Sequence, residues 1–350
     1  MSKISLLIIL AFATQSCASS APAPVASIVM DYRKNPALER ADIEYFNGEV
    51  KIAATLLVPR NVTPHASAVL IQGSGYSTRM NVWAGMMAQL LAVNGVAVVF
   101  PDKRASGEST GDFRTSEFSD LADDAMAGVR YLRDHPELGA PLENIGLIGL
   151  SQGGRVAPMA AATYPGEVGF VIDISGGATN GLESLRHERP NTYREKNITG
   201  AWLEMFTACD AIVDRLFVGE DAWNDYVACA AQFSDSPYAE FAARIYPTDA
   251  TDWRLSWFPK VVKYDPAIYW RETRQSVFVA YGLDDENENV PVARSVDILE
   301  GVFAGAGKRN YVIKVYDDAG HALWAPEVPP YRFNKEFVSD LEHWLAINTP

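Results

Sequence analysis

Two patterns of hydrophobic and polar positions alternate along this chain. Short, almost continuously apolar runs are typical of strands buried on both faces. They lie at residues 68–71, 96–100, 145–150, 170–174, 277–281 and 311–315. Segments with helical periodicity separate most of them, at residues 82–93, 119–133, 154–163 and 292–303. This alternation predicts an α/β fold whose mostly parallel sheet is covered by helices on both faces.

The start of the predicted fold has a different pattern. Residues 43–46 and 50–58 alternate apolar and polar positions around Asn47-Gly48. This dipeptide favours the positive φ angles of a tight hairpin turn. The sequence therefore predicts an antiparallel ribbon ahead of the parallel strands.

A long insert interrupts the alternation of strands and helices. From residue 179 to about residue 264 there is no candidate buried strand, and aromatic side chains become frequent: Trp202, Phe206, Phe217, Trp223, Tyr226, Trp253, Trp257 and Phe258. We interpret residues 179–265 as a helical cap over the substrate pocket, between two parts of a core at residues 39–178 and 266–350. Trp257 and Phe258 are the aromatics that we expect to face the pocket. The alternative is an insert that packs only on its own aromatics.

Length and charge narrow the class of protein. The chain has 350 residues, of which 48% are hydrophobic, and a net charge of −14. It is long enough for an ample core. Because no basic stripe is present to contact phosphates, nucleic acid is not an expected partner.

The N-terminus resembles a targeting segment. Lys3 precedes an apolar run at residues 4–13, as in a secretory signal peptide, and the run is short for a membrane span. Residues 14–17 end in Cys17 and resemble a lipoprotein box, although Thr14 and Gln15 fit it imperfectly. We expect residues 1–17 to be a signal peptide and residues 18–38 to be a tether. Cleavage after Ala18 or Ala23 is the alternative. The expected product is exported: periplasmic, anchored to the membrane only through lipid on Cys17, or secreted.

Cysteine usage is compatible with export. The chain contains three cysteines, Cys17, Cys209 and Cys229, and the last two lie in the predicted cap. An oxidising compartment would permit a disulfide between them. Two ordinary buried thiols are the alternative.

A Gly-x-Ser-x-Gly motif supplies the candidate nucleophile. Ser151 stands at its centre, between the apolar run 145–150 and an alanine-rich helical run. This placement predicts a nucleophile elbow, in which a strained turn presents the serine hydroxyl above the sheet. Ser109 is the centre of a second copy, but neither a strand nor a helix flanks it correctly. Context therefore selects Ser151.

A nucleophilic serine requires a base and an orienting acid. Of the five histidines, His321 alone follows a late strand in a loop near the C-terminus. In hydrolases whose catalytic residues occur in the order serine, acid, histidine along the chain, the base lies at this place. Asp284 and Asp285 both follow the run 277–281. Either carboxylate is placed to orient the imidazole and to stabilise the imidazolium that forms.

Two backbone N–H groups are candidates for an oxyanion hole. One belongs to Gln152, at the start of the helix that follows Ser151, where the helix dipole adds positive potential. The other should come from the loop after the run 68–71, from Ser74 or Gly75. A glycine-rich turn without a catalytic role is the alternative for this loop.

These motifs resemble the α/β-hydrolase superfamily, from about residue 40 to the C-terminus. The nearest likeness is to exported bacterial serine hydrolases with serine aminopeptidase-like and dienelactone hydrolase-like domains. The stretches that carry it are Leu70-Ile71-Gln72-Gly73-Ser74-Gly75, Pro101-Asp102-Lys103-Arg104-Ala105-Ser106-Gly107-Glu108-Ser109-Thr110-Gly111, Ile148-Gly149-Leu150-Ser151-Gln152-Gly153-Gly154, Gly282-Leu283-Asp284-Asp285 with Val290-Pro291, and Gly320-His321. Gln72 replaces the family's usual histidine and Ala105 a glycine. Four residues, rather than the usual two, separate Asp285 from Val290-Pro291.

The resemblance implies an α/β-hydrolase fold and a triad of Ser151, Asp285 and His321. It selects Asp285 because the family's acid stands three residues after the glycine, and it makes Ser109 structural. It implies a serine hydrolase, for which we expect a small carboxylic ester as substrate. An aminopeptidase or acyl-peptide hydrolase that cleaves short peptides is the first alternative, and an inactive binding lipoprotein is the second. No cofactor and no metal ion are expected.

Overall fold

A single eight-stranded sheet forms the centre of the computed structural model, which describes residues 28–326 and 331–349. Its strands are β1 (Leu38–Asn47), β2 (Val50–Pro59), β3 (Ala66–Ile71), β4 (Val96–Pro101), β5 (Ile145–Leu150), β6 (Phe170–Ile174), β7 (Ser276–Gly282) and β8 (Tyr311–Tyr316). They lie in the order β1-β2-β4-β3-β5-β6-β7-β8. The first two strands run antiparallel, as does the β2–β4 pair, whereas strands β3 to β8 pair in parallel. The predicted α/β architecture with an opening hairpin is confirmed.

Helices cover both faces of this sheet. The helices are α1 (Val82–Val93), α2 (Phe118–Asp134), α3 (Gln152–Thr163), α4 (Gly181–Glu195), α5 (Gly200–Val218), α6 (Trp223–Ala231), α7 (Ala239–Ile245), α8 (Trp253–Lys263), α9 (Pro266–Glu272), α10 (Val292–Gly305) and α11 (Lys335–Asn348). One buried apolar cluster joins the sheet to α2, α3, α9 and α10. A second cluster joins the opposite face to α1 and α11. The strands are apolar throughout because both of their faces are buried.

Helices α4 to α8 lie between β6 and β7 and have a buried apolar core of their own. Phe206, Phe217 and Tyr226 are among its members. Cys209 of α5 and Cys229 of α6 form a disulfide within it, with their Cα atoms 5.7 Å apart. The two open alternatives for these cysteines are thus resolved in favour of the bridge.

The N-terminal segment differs in part from the expected tether. Residues 28–37 lie against α1: the amide of Val29 donates to Gln89 Oε1 (3.1 Å) and Tyr32 is buried. Strand β1 begins already at Leu38. This part of the predicted tether packs because Tyr32 fits against Phe100, their ring centroids 5.4 Å apart. The predicted signal peptide, Cys17 and the rest of the tether lie outside the described residues.

None of the helices within the described ranges combines the length and the apolar character needed to cross a membrane.

Candidate active site

Ser151 lies in a strained turn between β5 and α3. Its φ of 53° and ψ of −119° are a backbone conformation that a non-glycine residue rarely adopts. The turn is held on both sides: the Ser151 amide donates to Ile174 O at 2.9 Å, and the Gly154 amide donates to Ser151 O at 2.8 Å. This is the geometry that the Gly-x-Ser-x-Gly motif predicts.

The flanking glycines are required by close backbone packing. A Cβ atom at Gly149 would lie 2.2 Å from Gly153 O. A Cβ atom at Gly153 would lie 2.0 Å from Ile71 O, on the neighbouring strand. Any side chain at either position would therefore push α3 away from the sheet and move Ser151 with it.

The structure brings His321 and Asp285 together. His321 Nδ1 lies 2.7 Å from Asp285 Oδ2, and the Asp285 side chain is fully buried. The imidazole ring also packs on Trp83 of α1, with ring centroids 5.4 Å apart. A buried carboxylate on Nδ1 fixes the ring so that Nε2 is free for proton transfer.

The longer acid loop coils around Asp285. The backbone amides of Glu288, Asn289 and Val290 all donate to Asp285 O, at 3.0, 3.2 and 3.2 Å. Asn289 also donates through its backbone amide to Asp285 Oδ1 (3.2 Å). The four residues between Asp285 and Val290-Pro291 thus form a closed turn around the carboxylate. Asp284 is exposed, and its amide donates to Ala319 O (3.0 Å).

The candidate oxyanion donors lie on two neighbouring segments. Gln152 is the first residue of α3, so its backbone N–H lies at the positive end of the helix dipole. Across from it, a Cβ atom at Gly73 would lie 3.4 Å from Ser151 Cβ, so this loop touches the serine. Ser74 lines the same cavity as Ser151, whereas Gly75 is exposed with a φ of 72° and is not part of the cavity wall.

A buried lysine that no sequence motif had indicated joins those two segments. Lys103 Nζ donates to Gly73 O at 2.8 Å and to Gln152 Oε1 at 2.6 Å. Its side chain is 7% exposed, and burial lowers its pKa to about 7. In the sequence, the one indication of this role is that Lys103 directly follows Asp102 in the glycine-rich loop 101–111.

Ser109, in the second copy of the motif, has a structural role. Its hydroxyl donates to Asp102 O at 2.8 Å and accepts from the Ala53 amide at 2.9 Å. It therefore ties its loop to β2. In the same loop Ala105 adopts a positive φ of 59°, the conformation for which glycine is the usual residue.

Gln72, which stands where the resembled family has a histidine, is buried at the start of the loop after β3. Its Nε2 donates to Pro101 O at 2.5 Å. Its Oε1 is buried and has no hydrogen-bond partner among the described residues. The amide therefore holds β3 to the end of β4 without reaching the serine.

A cavity of about 330 Å³ opens above the predicted site residues. Ser151 and His321 both line it, together with polar side chains of Arg155, Ser184 and Glu188. Because α4 contributes Ser184 and Glu188, the insert forms part of the wall. The polarity of this wall was not foreseen from the sequence.

A second cavity of about 250 Å³ adjoins the first through Gln152, Phe118 and Val261. Five aromatic side chains, Trp257 among them, line this aromatic cavity beside polar ones that include Glu117 and Lys260. The expectation for Phe258 was wrong: it stacks on Phe217 at 5.2 Å, in the cap core. Adjacent helix positions point about 100° apart, so the two side chains cannot share one direction. The insert thus packs on its own aromatics and also walls the site.

Among the residues that the structure describes, no group of three or more histidine, cysteine or acidic side chains is arranged to hold a metal ion.

The sequence profile of the alpha/beta hydrolase family matches residues 68–336, which is more than half of the chain. The chain belongs to the alpha/beta hydrolase family. No curated protein shows significant sequence similarity to this hydrolase.

Solved structures similar to this hydrolase share its fold. An esterase of Pyrococcus furiosus is 18% identical, with a TM-score of 0.59 over 89% of this chain and 92% of its own. A proline iminopeptidase of Mycobacterium smegmatis is 14% identical, with a TM-score of 0.53 over 88% of this chain and 99% of its own. A dienelactone hydrolase of Anabaena variabilis is 15% identical, with a TM-score of 0.51 over 89% of this chain and 98% of its own. At these identities the likeness concerns the fold alone.

Proposed function

We propose that this hydrolase cleaves carboxylic esters through a serine nucleophile. Ser151 is the nucleophile, His321 the general base and Asp285 the orienting acid. The observation that carries the proposal is the 2.7 Å contact between His321 Nδ1 and buried Asp285, in a loop that faces the cavity of Ser151. This combination supports proton transfer from the serine hydroxyl to the imidazole.

The reaction proceeds in two halves. His321 Nε2 takes the Ser151 proton as Oγ attacks the carbonyl carbon. The negative charge that develops on the carbonyl oxygen is stabilised by the N–H of Gln152 and by that of Ser74 or Gly75. When the tetrahedral intermediate collapses, His321 protonates the departing alcohol and leaves an acyl-enzyme. A water molecule, deprotonated by His321, then releases the acid and restores the serine.

We propose an ester and not an amide as the substrate. An alcohol leaving group needs less assistance from a positioned acid than an amine leaving group does. An apolar part of an ester substrate fits the aromatic cavity that adjoins Gln152. The similar fold of the Pyrococcus furiosus esterase supports an ester substrate by analogy alone. The presence of all three catalytic residues counts against an inactive binding lipoprotein.

An aminopeptidase is the second candidate. Glu188 lines the cavity with Ser151, and a carboxylate there is suited to an amino group of a peptide. The test is a panel of p-nitrophenyl acetate, butyrate and hexanoate beside aminoacyl-p-nitroanilides of proline and leucine. Ester hydrolysis that disappears in Ser151→Ala is expected. Faster cleavage of any anilide than of every ester would instead establish the peptidase.

We also propose that the enzyme acts outside the cytoplasm. The Cys209–Cys229 disulfide is consistent with an oxidising compartment. If Cys17 carries lipid, the full-length protein partitions into the detergent phase and Cys17→Ala does not. If the wild-type protein stays in the aqueous phase, the lipid anchor is excluded and secretion without an anchor is the remaining proposal.

A further inference from the structure

Arg155 places a guanidinium group in the wall of the active-site cavity. It lies in the first turn of α3, four residues after Ser151, and lines the same cavity as Ser151. Its Nη1 donates to Ser184 Oγ at 2.6 Å and its Nη2 donates to Thr179 O at 3.0 Å. Its Cζ lies 5.8 Å from the centre of the Tyr264 ring. These contacts fix the guanidinium beside the nucleophile.

Arg155 forms no ion pair with a carboxylate among the described residues. Asp265 and Glu188 interact with it electrostatically from beyond 4.0 Å. The buried Asp173 is close enough to interact electrostatically, but burial raises the pKa of Asp173 to about 8, which favours its neutral form at pH 7. Arginine stays protonated in proteins, and a desolvated cation without a counterion is costly. Two of its five N–H groups are used by the bonds to Ser184 and Thr179.

We propose that Arg155 binds a carboxylate of the substrate, so that the preferred ester carries a carboxylate a few carbons from the scissile carbonyl. This inference rests on the proposed ester hydrolase function. A guanidinium with free N–H groups suits a carboxylate because its planar fork matches the two oxygens. The cavity offers the space, since Arg155, Ser151 and His321 share it.

The size of the cavity limits the length of such a substrate. Arg155 and Ser151 line one cavity of about 330 Å³, so the carboxylate and the scissile carbonyl must both fit within it. A chain of about four to five carbons suits a pocket of this size. Half-esters of short dicarboxylic acids have this length, as do acetate esters of short hydroxy acids. The first class carries the carboxylate on the acyl side and the second on the alcohol side.

Glu188 is the other charged group in the cavity wall. It is exposed on α4 and interacts electrostatically with His321 more strongly than with Arg155. Its negative charge opposes an anionic substrate in the shared cavity. Glu188→Gln is therefore expected to strengthen the preference for a carboxylated ester.

A binding measurement tests the inference without depending on turnover. Ser151→Ala is titrated by calorimetry with monoethyl glutarate and with ethyl valerate, which have equal chain lengths and differ in the terminal carboxylate. Monoethyl glutarate is expected to bind about ten- to a hundredfold more tightly, as for hydrogen bonds to a charged group. Adding Arg155→Met should remove the difference. Equal or tighter binding of ethyl valerate by Ser151→Ala would overturn the inference.

Kinetics on the full-length enzyme then separate recognition from a structural role. Titrimetric kcat/KM is measured for monoethyl glutarate against ethyl valerate, and for 4-acetoxybutanoate against butyl acetate. In at least one pair Arg155→Met should slow only the carboxylated ester, by about ten- to a hundredfold, and Arg155→Lys by less. Arg186→Met is the control, because Arg186 lies on α4 of the cap and pairs with Asp214 (2.6 Å) outside the cavity.

The outcomes distinguish this inference from the proposed function. Hydrolysis of the neutral esters with no preference in either pair overturns the carboxylate site and leaves the esterase standing. If Ser151→Ala prefers the carboxylated ligand but the wild type hydrolyses no ester, the carboxylate site is supported and the proposed esterase function is overturned. The melting curve must first show that Arg155→Met is folded. If this variant then hydrolyses charged and neutral esters more slowly to the same extent, Arg155 only tethers the cap and the inference is wrong.

Discussion

Lys103 Nζ donates a hydrogen bond of 2.6 Å to the side-chain oxygen of Gln152. The same ammonium group donates to the carbonyl of Gly73 at 2.8 Å. One buried side chain therefore connects the start of α3 with the loop after β3, and these segments carry the candidate oxyanion donors. Their relative position depends on Lys103, since both acceptors would otherwise lack this partner.

Replacing Lys103 should consequently impair kcat more than KM. We expect Lys103→Met to lower kcat for p-nitrophenyl acetate by about ten- to a hundredfold, because a misplaced oxyanion donor weakens transition-state binding. Steady-state kinetics measure the split. Lys308→Met is the control, since Lys308 also donates to two carbonyls, those of Thr273 and Gln275, away from the site. An unchanged kcat in Lys103→Met would contradict this role.

The acid should be identifiable by paired substitutions. Asp285→Asn is expected to lower kcat by about 10³- to 10⁴-fold, because an amide at Nδ1 disfavours the tautomer and the charge that catalysis needs. Asp284→Asn should cost less than about tenfold, since this side chain is exposed. An inverted pattern in steady-state kinetics would assign the acid to Asp284.

The sequence predicted the fold and the turn that holds Ser151 for identifiable reasons. Apolar runs predict buried strands, and the Ser151 motif has a steric requirement that is local in sequence. The polar wall was missed because Arg155 and Glu188 lie far apart in sequence and line one cavity only through the packing of α4 over α3. Phe258 was misplaced because an aromatic-rich segment does not reveal which side of a short helix faces a cavity. Residues 28–37 were read as a tether, since their packing on α1 is a tertiary contact.

Trp257 should determine how rate depends on acyl chain length. It lines the aromatic cavity, where each added CH₂ contributes about 0.8 kcal/mol, or close to fourfold in kcat/KM. Trp257→Ala is expected to flatten this dependence across p-nitrophenyl acetate, butyrate and hexanoate while keeping acetate turnover. Phe258→Ala should lower the melting temperature instead, because Phe258 packs in the cap core. A flat dependence in the wild type would contradict an apolar acyl pocket.

Asp173 should make stability depend on pH. Burial raises its pKa to about 8, whereas the unfolded chain releases this proton near pH 4. Between those values the unfolded state binds fewer protons, so the contribution of Asp173 to the free energy of unfolding falls by about 1 kcal/mol per pH unit. Asp173→Asn should gain relative to wild type as pH rises from 5 to 8, as measured by urea unfolding. A constant difference would show that the group titrates normally.

The identity of the nucleophile is the central claim, and an active-site label tests it most directly. A fluorophosphonate probe reacts with a serine only when a base activates the hydroxyl. Wild type and Ser109→Ala should both be labelled, provided that melting curves show Ser109→Ala to be folded, and Ser151→Ala should not be labelled. Labelling that persists in Ser151→Ala but disappears in folded Ser109→Ala would contradict the account.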